Sequence, residues 1–193
     1  MKSIAVFCGS SAGNDKVIFQ DSYNLGKILA KRNIKLVYGG SKLGLMGQVA
    51  KGALDNGGEV TGVIPGFLKT KEVVHPNLPE LITTKDMHER KLKMHDLSEG
   101  FIALPGGFGT FEELFEIITW AQLGLHHNPI GLLNSNAYYD ELIAMLKTMV
   151  RKGLLKKANF DLLIIAEGAE ELLDKMANFQ PLPVPKWINK EQT

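Results

Sequence analysis

The sequence predicts an α/β protein built on a doubly wound, mostly parallel sheet that is flanked by helices on both faces. Short apolar runs alternate along the chain with segments of helical periodicity. Most of the apolar runs lack polar alternation, which is typical of strands buried on both faces of a parallel sheet. Glycine-rich breaks follow several of the runs, where a strand would lead into a helix.

The predicted elements alternate in chain order. The apolar runs predicted as strands are Ile4–Cys8, Lys35–Tyr38, Val60–Ile64, Phe101–Leu104, Ile130–Leu133 and Leu162–Ile165. The segments predicted as helices are Lys16–Arg32, Met46–Asn56, Met87–Leu97, Phe111–Leu123, Tyr139–Lys152 and Ala169–Asn178. This alternation implies right-handed crossovers, and therefore one doubly wound sheet.

Two segments interrupt this alternation. Pro65–Lys85 is predicted as a long irregular connection, of a length that compact folds reserve for functional segments. The segment from residue 180 to 193 contains three prolines, which cannot continue a helix. We therefore expect a single domain over residues 1–179 and a proline-rich tail over residues 180–193.

Composition excludes several classes of protein. With 22 basic and 21 acidic side chains, the net charge of +1 provides no bulk attraction to nucleic acid or to an anionic membrane. The apolar runs are also far shorter than the roughly 20 residues that a membrane-spanning helix needs. A single cysteine, Cys8, cannot form an internal disulfide, which fits a cytoplasmic location.

The glycine content of the chain is unusually high, at 20 residues. Nine of these glycines fall in three clusters, at residues 9–13, 39–47 and 105–110. Each cluster follows a predicted strand and precedes a helix, so free backbone amides would face an anion there. The alternative is that these glycines only make tight turns. From the first two clusters the candidate ligand-binding residues are Ser10, Gly39, Gly40 and Gly44.

Two familiar nucleotide motifs are absent from the sequence. It has no Gly-x-x-x-x-Gly-Lys-Ser/Thr, which disfavours a nucleoside-triphosphate hydrolase. No Gly-x-Gly-x-x-Gly follows the first strand, which disfavours a dinucleotide oxidoreductase. The predicted ligand is therefore a mononucleotide or a sugar phosphate.

Glu113 has two interpretations. Thr110 and Glu113 have the spacing of a capping box, and on local sequence alone Glu113 is predicted to cap its own helix. The same position would set a carboxylate beside the third glycine cluster, where it could stabilise a developing positive charge or activate water. Glu112 and Glu116 are predicted to belong partly to a solvated helix surface.

Arg90 is predicted to face the protein interior. On a helical wheel it lies at about 300° from Met87, inside the apolar stripe that Met94 continues at about 340°. A buried guanidinium needs an anionic partner, either a carboxylate such as Glu113 or a ligand phosphate. Lys91 flanks the stripe and is a candidate to join Arg90.

Other chemistry finds little support in the sequence. The histidines lack metal-ligand spacing, so we expect neither a metal nor a cofactor. No Gly-x-Ser-x-Gly elbow is present, and Cys8 is interpreted as a small buried residue. Phe115 and Trp120 are predicted to face the core.

Together these residues resemble the Lonely Guy (LOG) family of cytokinin riboside 5′-monophosphate phosphoribohydrolases, whose members are often mislabelled lysine decarboxylases. The family motif Pro-Gly-Gly-x-Gly-Thr-x-x-Glu is matched by Pro105–Glu113, and its Arg-Lys pair by Arg90 and Lys91. The segments Tyr38–Gly47 and Trp120–Gly124 are also similar to family segments. The resemblance extends from about Ile4 to Asn178.

The resemblance implies a Rossmann-like fold and a homodimer with its sites near the subunit interface. It implies hydrolysis of the N-glycosidic bond of an adenosine 5′-monophosphate, plain or N6-prenylated, to free base and ribose 5-phosphate. Arg90 and Glu113 match the catalytic pair. The candidate substrate-binding residues are Glu72, Lys91, Gly106, Gly107, Phe108, Gly109, Thr110, Phe111, Glu112 and Thr119.

Three questions stay open at the level of sequence. Glu113 could act as nucleophile, as base or as electrostatic support, and the preferred base could be plain or prenylated adenine. A non-catalytic nucleotide carrier or sensor on the same fold is the alternative function, although the presence of both Arg90 and Glu113 favours an enzyme. A pyridoxal-phosphate decarboxylase is disfavoured, since no Schiff-base lysine is identifiable.

Overall fold

A computed structural model describes residues 1–69, 74–76 and 78–181 of the protein. Its strands are β1 (Ser3–Phe7), β2 (Lys35–Tyr38), β3 (Val60–Pro65), β4 (Glu80–Thr84), β5 (Phe101–Ala103), β6 (Ile130–Leu133) and β7 (Leu163–Ala166). Its α-helices are α1 (Lys16–Lys31), α2 (Gly44–Leu54), α3 (Met87–Asp96), α4 (Phe108–Gln122), α5 (Asp140–Arg151), α6 (Lys157–Phe160) and α7 (Ala169–Ala177). A 3₁₀ turn covers Ser135–Ala137.

All strands belong to one sheet of order β4-β3-β2-β1-β5-β6-β7, and each pair of neighbours is parallel. The strand order reverses between β1 and β5, which opens a crevice at the carboxyl ends of these two strands. The predicted Rossmann-like α/β fold, with a doubly wound sheet, is therefore confirmed.

The sheet separates two apolar cores. On one face, Leu25 and Leu29 of α1 and Val49 of α2 pack with α7 against the sheet. On the other face, Leu114 and Trp120 of α4 pack with side chains of α3 and α5. Because helices cover both faces, the central strands β1 and β5 are buried on both sides, which explains their continuous apolar sequence.

One strand was not predicted. β4 lies inside the Pro65–Lys85 stretch and, among the described strands, pairs with β3 alone, so it forms an edge of the sheet. Its sequence Glu-Leu-Ile-Thr-Thr contains two exposed polar residues, Glu80 and Thr83, and so does not form a continuous apolar run. The expectation of a wholly irregular connection was therefore wrong over these residues. The single-turn helix α6 was also missed, because four residues carry no periodicity.

Two helix predictions need correction. α2 begins at Gly44 and α4 at Phe108, earlier than the predicted starts at Met46 and Phe111. Trp120 is buried as predicted, but Phe115 is 40% exposed, so its assignment to the core was wrong. α4 thus presents an aromatic residue to solvent on the side away from the sheet.

No helix within the described part of the chain is long and apolar enough to cross a membrane. Over the same residues, no group of three or more His, Cys, Asp or Glu side chains is arranged to hold a metal ion. The division at residue 179 stays a prediction, since the tail beyond Pro181 lies outside the described residues.

Candidate active site

The three glycine clusters meet at the carboxyl ends of β1, β2 and β5. A Cβ added to Gly9 would lie 3.4 Å from the Cα of Gly106, so the first and third clusters are in close contact. A Cβ added to Gly44 would lie only 2.4 Å from the carbonyl of Ser10, and Gly44 has a φ of +57°. Glycine at position 44 is therefore required both by its left-handed backbone and by the approach of the first cluster.

A cleft of about 470 Å³ opens at this edge, between the loop of residues 9–15 and the third cluster. Gly106 and Gly107 form one wall, and Tyr138 from the segment after β6 completes the lining. The cleft lies at the reversal of strand order between β1 and β5, where ligands of open α/β sheets bind.

The helices that follow the clusters differ in whether their N-termini are free. Asp15 closes α1, because its carboxylate accepts hydrogen bonds from the amides of Val17 and Ile18 at 2.8 and 3.2 Å. Hydrogen bonds from Asn136 and then from Ile18 hold the pKa of Asp15 below its usual range. α1 therefore already has an anion at its positive end.

The N-terminus of α2 is also occupied. The amides of Leu45 and Met46 donate to the carbonyl of Gly9 at 3.0 and 3.3 Å. Gly40, with a φ of +78°, uses its carbonyl to accept a hydrogen bond from the amide of His75 at 3.0 Å. At these positions the backbone of the second cluster and the start of α2 form hydrogen bonds within the protein, to the first cluster and to the segment around His75.

α4 differs from both. Its N-cap is Gly107, which has no side chain to close the helix. The amides of Phe108, Gly109 and Thr110 form no hydrogen bond with any other described residue. This helix therefore offers backbone donors and the positive end of its dipole to an anion at the cleft.

Arg90 and Glu113 form a buried ion pair behind this loop. The Nη2 of Arg90 lies 3.8 Å from the Oε1 of Glu113, and the two side chains are 8% and 7% exposed. The Nε of Arg90 donates to the carbonyl of Val63 at 3.1 Å. A Cβ on Gly39 would lie 2.3 Å from Nη2, so the glycine leaves space for the guanidinium. The predicted inward orientation of Arg90 is confirmed, and of the two partners expected for it, a carboxylate or a ligand phosphate, the structure shows the carboxylate of Glu113.

The environment of Glu113 changes its protonation. Burial raises its pKa from 4.5 to about 7, although the charge of Arg90 acts in the opposite direction. The capping-box interpretation is wrong: α4 begins at Phe108, so Thr110 lies in the first turn rather than at the N-cap. Glu113 is not among the described residues that line the cleft, but a buried carboxyl group whose pKa is close to neutrality and that faces an arginine is a candidate catalytic acid or base.

Lys91 is held by two carboxylates of α4. Its Nζ lies 2.5 Å from Oε1 of Glu112 and 2.9 Å from Oε1 of Glu116. Burial lowers the pKa of Lys91, but the hydrogen bonds to these glutamates outweigh burial and raise it. A Schiff-base lysine needs the opposite shift, because its neutral amine is the nucleophile. Glu112 and Glu116 are therefore partners of Lys91 and not merely solvated surface.

The remaining predicted residues are distributed unevenly. Ser10 is exposed at the cleft, and Phe111 is half-buried with its ring 5.8 Å from that of Tyr139. Phe108 is 95% exposed. Thr119 is exposed and lies six residues beyond Glu113, hence about 9 Å farther along α4 and about 120° around it. Thr119 is therefore not brought together with Glu113, and Glu72 lies outside the described residues.

Sequence reasoning missed Tyr138, whose hydroxyl donates to the carbonyl of Gly106 at 2.6 Å. The available signal was its position shortly after the predicted strand Ile130–Leu133, at the same edge of the sheet as the glycine clusters. A tyrosine pair there, Tyr138 and Tyr139, carries no motif of its own.

A crevice at the strand-order reversal, an open helix N-terminus and a buried Arg–Glu pair define a Rossmann-like protein suited to a phosphorylated ligand. The family model described as "Possible lysine decarboxylase" matches residues 46–176. A rice (Oryza sativa subsp. japonica) relative, "Probable cytokinin riboside 5′-monophosphate phosphoribohydrolase LOGL3", is 45% identical over 93% of this chain and 85% of its own length. The chain belongs to this family, the Lonely Guy (LOG) family expected from the sequence.

Other relatives agree with this membership. The Arabidopsis thaliana protein "Cytokinin riboside 5′-monophosphate phosphoribohydrolase LOG1" is 45% identical over 93% of this chain and 84% of its own length. Among solved structures, the molybdenum cofactor binding protein of Rippkaea orientalis has a TM-score of 0.69 and 22% identity, covering 91% of this chain and 95% of its own. At that identity the likeness concerns the fold alone.

Proposed function

We propose that the protein hydrolyses the N-glycosidic bond of an adenosine 5′-monophosphate, plain or N6-prenylated, releasing the free base and ribose 5-phosphate. The observation that carries this proposal is the buried Arg90–Glu113 pair next to the open N-terminus of α4. Membership of a family whose relatives carry phosphoribohydrolase names supports it.

The phosphate subsite of the proposal is the start of α4. The free amides of Phe108, Gly109 and Thr110 would bind the 5′-phosphate. Binding energy from the phosphate, which does not react, would position the anomeric carbon next to Glu113.

The reaction would pass through an oxocarbenium-like state. The bond from C1′ to the base nitrogen breaks and its electron pair leaves with the base, while a water oxygen forms a new bond to C1′. The proton that this water gives up ends on the base, so that the products are the neutral base and ribose 5-phosphate. The Glu113 carboxylate would stabilise the positive charge on the sugar, either directly or while it takes the proton of the water. Arg90 would keep part of the Glu113 population ionised despite burial.

A direct assay tests the proposal. Purified protein is incubated with AMP and, separately, with N6-isopentenyladenosine 5′-monophosphate, and free base and ribose 5-phosphate are quantified by chromatography. We expect release of both products in equal amounts and a loss of turnover in Glu113→Gln. The matched control is Glu89→Gln, an exposed position on α3 next to Arg90, which should keep full activity.

The outcomes separate the candidate functions. If both nucleotides bind without release of base, the chain is a carrier or sensor and the hydrolase proposal is wrong. If base is released and Glu113→Gln leaves the rate unchanged, the assigned role of Glu113 is wrong. The ratio of the two rates identifies the preferred base.

We also propose a homodimer with its sites near the interface. Phe108 and Phe115 leave apolar surface on the outer side of α4, and Thr119 lies along the same side. If Thr119 contacts substrate, as the family resemblance implies, it would do so in the site of a partner protomer. Light scattering on the native protein tests the dimer, and a monomer at micromolar concentration would contradict it. The cytoplasmic location stays a prediction.

A further inference from the structure

Tyr138 is held over the third glycine cluster by an unusual backbone. The two residues before it, Asn136 and Ala137, have φ values of +47° and +59°, which non-glycine residues rarely adopt. The Nδ2 of Asn136 donates to Oδ2 of Asp15 at 2.7 Å and so ties this turn to the start of α1. Strained backbone of this kind occurs at ligand sites, where surrounding contacts maintain it.

Three consecutive carbonyls of the loop are each held by a donor. The hydroxyl of Tyr139 donates to the carbonyl of Leu104 at 2.6 Å, and the amide of Gly9 donates to that of Pro105 at 3.1 Å. The hydroxyl of Tyr138 donates to the carbonyl of Gly106 at 2.6 Å. These donors set the orientation of every peptide unit that leads into α4.

The last of these peptides has the least restraint of its own. It joins Gly106 to Gly107, and a glycine on each side leaves rotation of the peptide plane nearly free of steric restriction. A Cβ added to Gly106 would lie 2.1 Å from Oγ1 of Thr110, whereas one added to Gly107 would meet no atom within 4 Å, so packing restrains the first end of this peptide and leaves the Gly107 end free. Because a peptide is planar and trans, fixing the carbonyl of Gly106 also fixes the direction of the Gly107 N–H.

We propose that Tyr138 is a positioning residue for phosphate. Its hydroxyl donates a hydrogen bond to the carbonyl oxygen of Gly106, so that this oxygen is not exposed to the anion. The same hydrogen bond keeps the amides at the start of α4 available to bind the anion. This inference rests on the proposed function, since it assigns the phosphate end of the same substrate to this wall of the cleft. Without the hydroxyl, an unmasked carbonyl oxygen faces the cleft and repels the phosphate.

The test compares Tyr138→Phe with the wild-type protein in calorimetric titrations with ribose 5-phosphate and with adenosine, which lacks the phosphate. The variant keeps the ring, whose centroid lies 4.9 Å from that of Tyr139, so the fold should be retained. The control is Tyr23→Phe, which removes a hydroxyl that donates to Asp55 at the C-cap of α2 at 3.0 Å, away from the cleft.

We expect Tyr138→Phe to bind ribose 5-phosphate about 5- to 10-fold more weakly, which is the effect of losing one hydrogen bond at an anion site. The affinity for adenosine should stay within about twofold, as should both affinities in Tyr23→Phe. With AMP as substrate, the KM should rise and kcat should stay nearly constant.

Two results would overturn the inference. One is an unchanged affinity for ribose 5-phosphate in Tyr138→Phe. The other is an equal loss of affinity for adenosine, which would indicate a general distortion of the cleft. Failure of the proposed function has a different result: wild-type protein would release no base, while the titrations would still decide the role of Tyr138.

Discussion

Replacing Glu113 by glutamine is expected to make the stability of the protein less dependent on pH. The pKa of Glu113 is raised from 4.5 to about 7 in the folded state, so the folded protein binds a proton at this site that the unfolded chain has released. Between these two values, rising pH therefore destabilises the fold. Integrated between about pH 5 and pH 8, this one group removes about 2 to 3 kcal/mol from the free energy of unfolding.

Glutamine cannot ionise, so Glu113→Gln should lose this contribution and retain the others. The constant cost of leaving Arg90 without a charged partner cancels when the same variant is compared at two pH values. Urea unfolding of both proteins at pH 5 and pH 8 gives the four free energies required.

The expected result is a stability difference, variant minus wild type, that becomes about 2 to 3 kcal/mol more favourable to the variant at the higher pH. A difference that does not change with pH would refute the raised pKa. Such a result would mean that the Arg90 charge outweighs burial, so that Glu113 is ionised throughout this pH range.

Three further outcomes are expected. If the ionised form of Glu113 is the active one, kcat/KM should rise with pH through about 7 and then level off, and a falling profile would assign the protonated form instead. Gly39→Ala should reduce turnover with little change in melting temperature, because its Cβ would lie 2.3 Å from the guanidinium of Arg90 and would displace this flexible side chain. Unchanged turnover would contradict this expectation. Gly26→Ala should lower the free energy of unfolding by about 2 kcal/mol or more, because its Cβ would lie 2.0 Å from the carbonyl of Val49. Urea unfolding of the variant and the wild-type protein measures this difference in stability.

The helical periodicity around Arg90 was sufficient to predict its burial, because an apolar stripe and a charge on the same face are both local properties of the sequence. The partner of Arg90 could not be predicted in the same way. Arg90 and Glu113 are on separate helices, and two alternatives, a carboxylate and a phosphate, remained until the packing of α3 against the sheet was known. The pKa of Glu113 likewise depends on burial, which no local pattern reports.

The edge strand β4 was missed because its local sequence lacks the pattern that identified the other strands. Its residues include a glutamate and two threonines, of which Glu80 and Thr83 are exposed, so they lack the apolar run by which the central strands were found. The capping box at Thr110 was a local pattern that the fold overrode, since glycines allow α4 to begin one turn earlier.

The sequence by itself determined the parallel α/β architecture, the family and the two residues proposed for catalysis, because buried strands, helix faces and a nine-residue motif are encoded by neighbouring positions. Only the tertiary structure decided which glycine cluster is open to a ligand. All three clusters look alike in sequence. The Asp15 carboxylate binds the N-terminal amides of α1 and the Gly9 carbonyl binds those of α2, whereas the N-terminal amides of α4 are free of hydrogen bonds to other described residues. That difference arises from contacts between loops far apart in the chain, as does the contact of Tyr138 with Gly106.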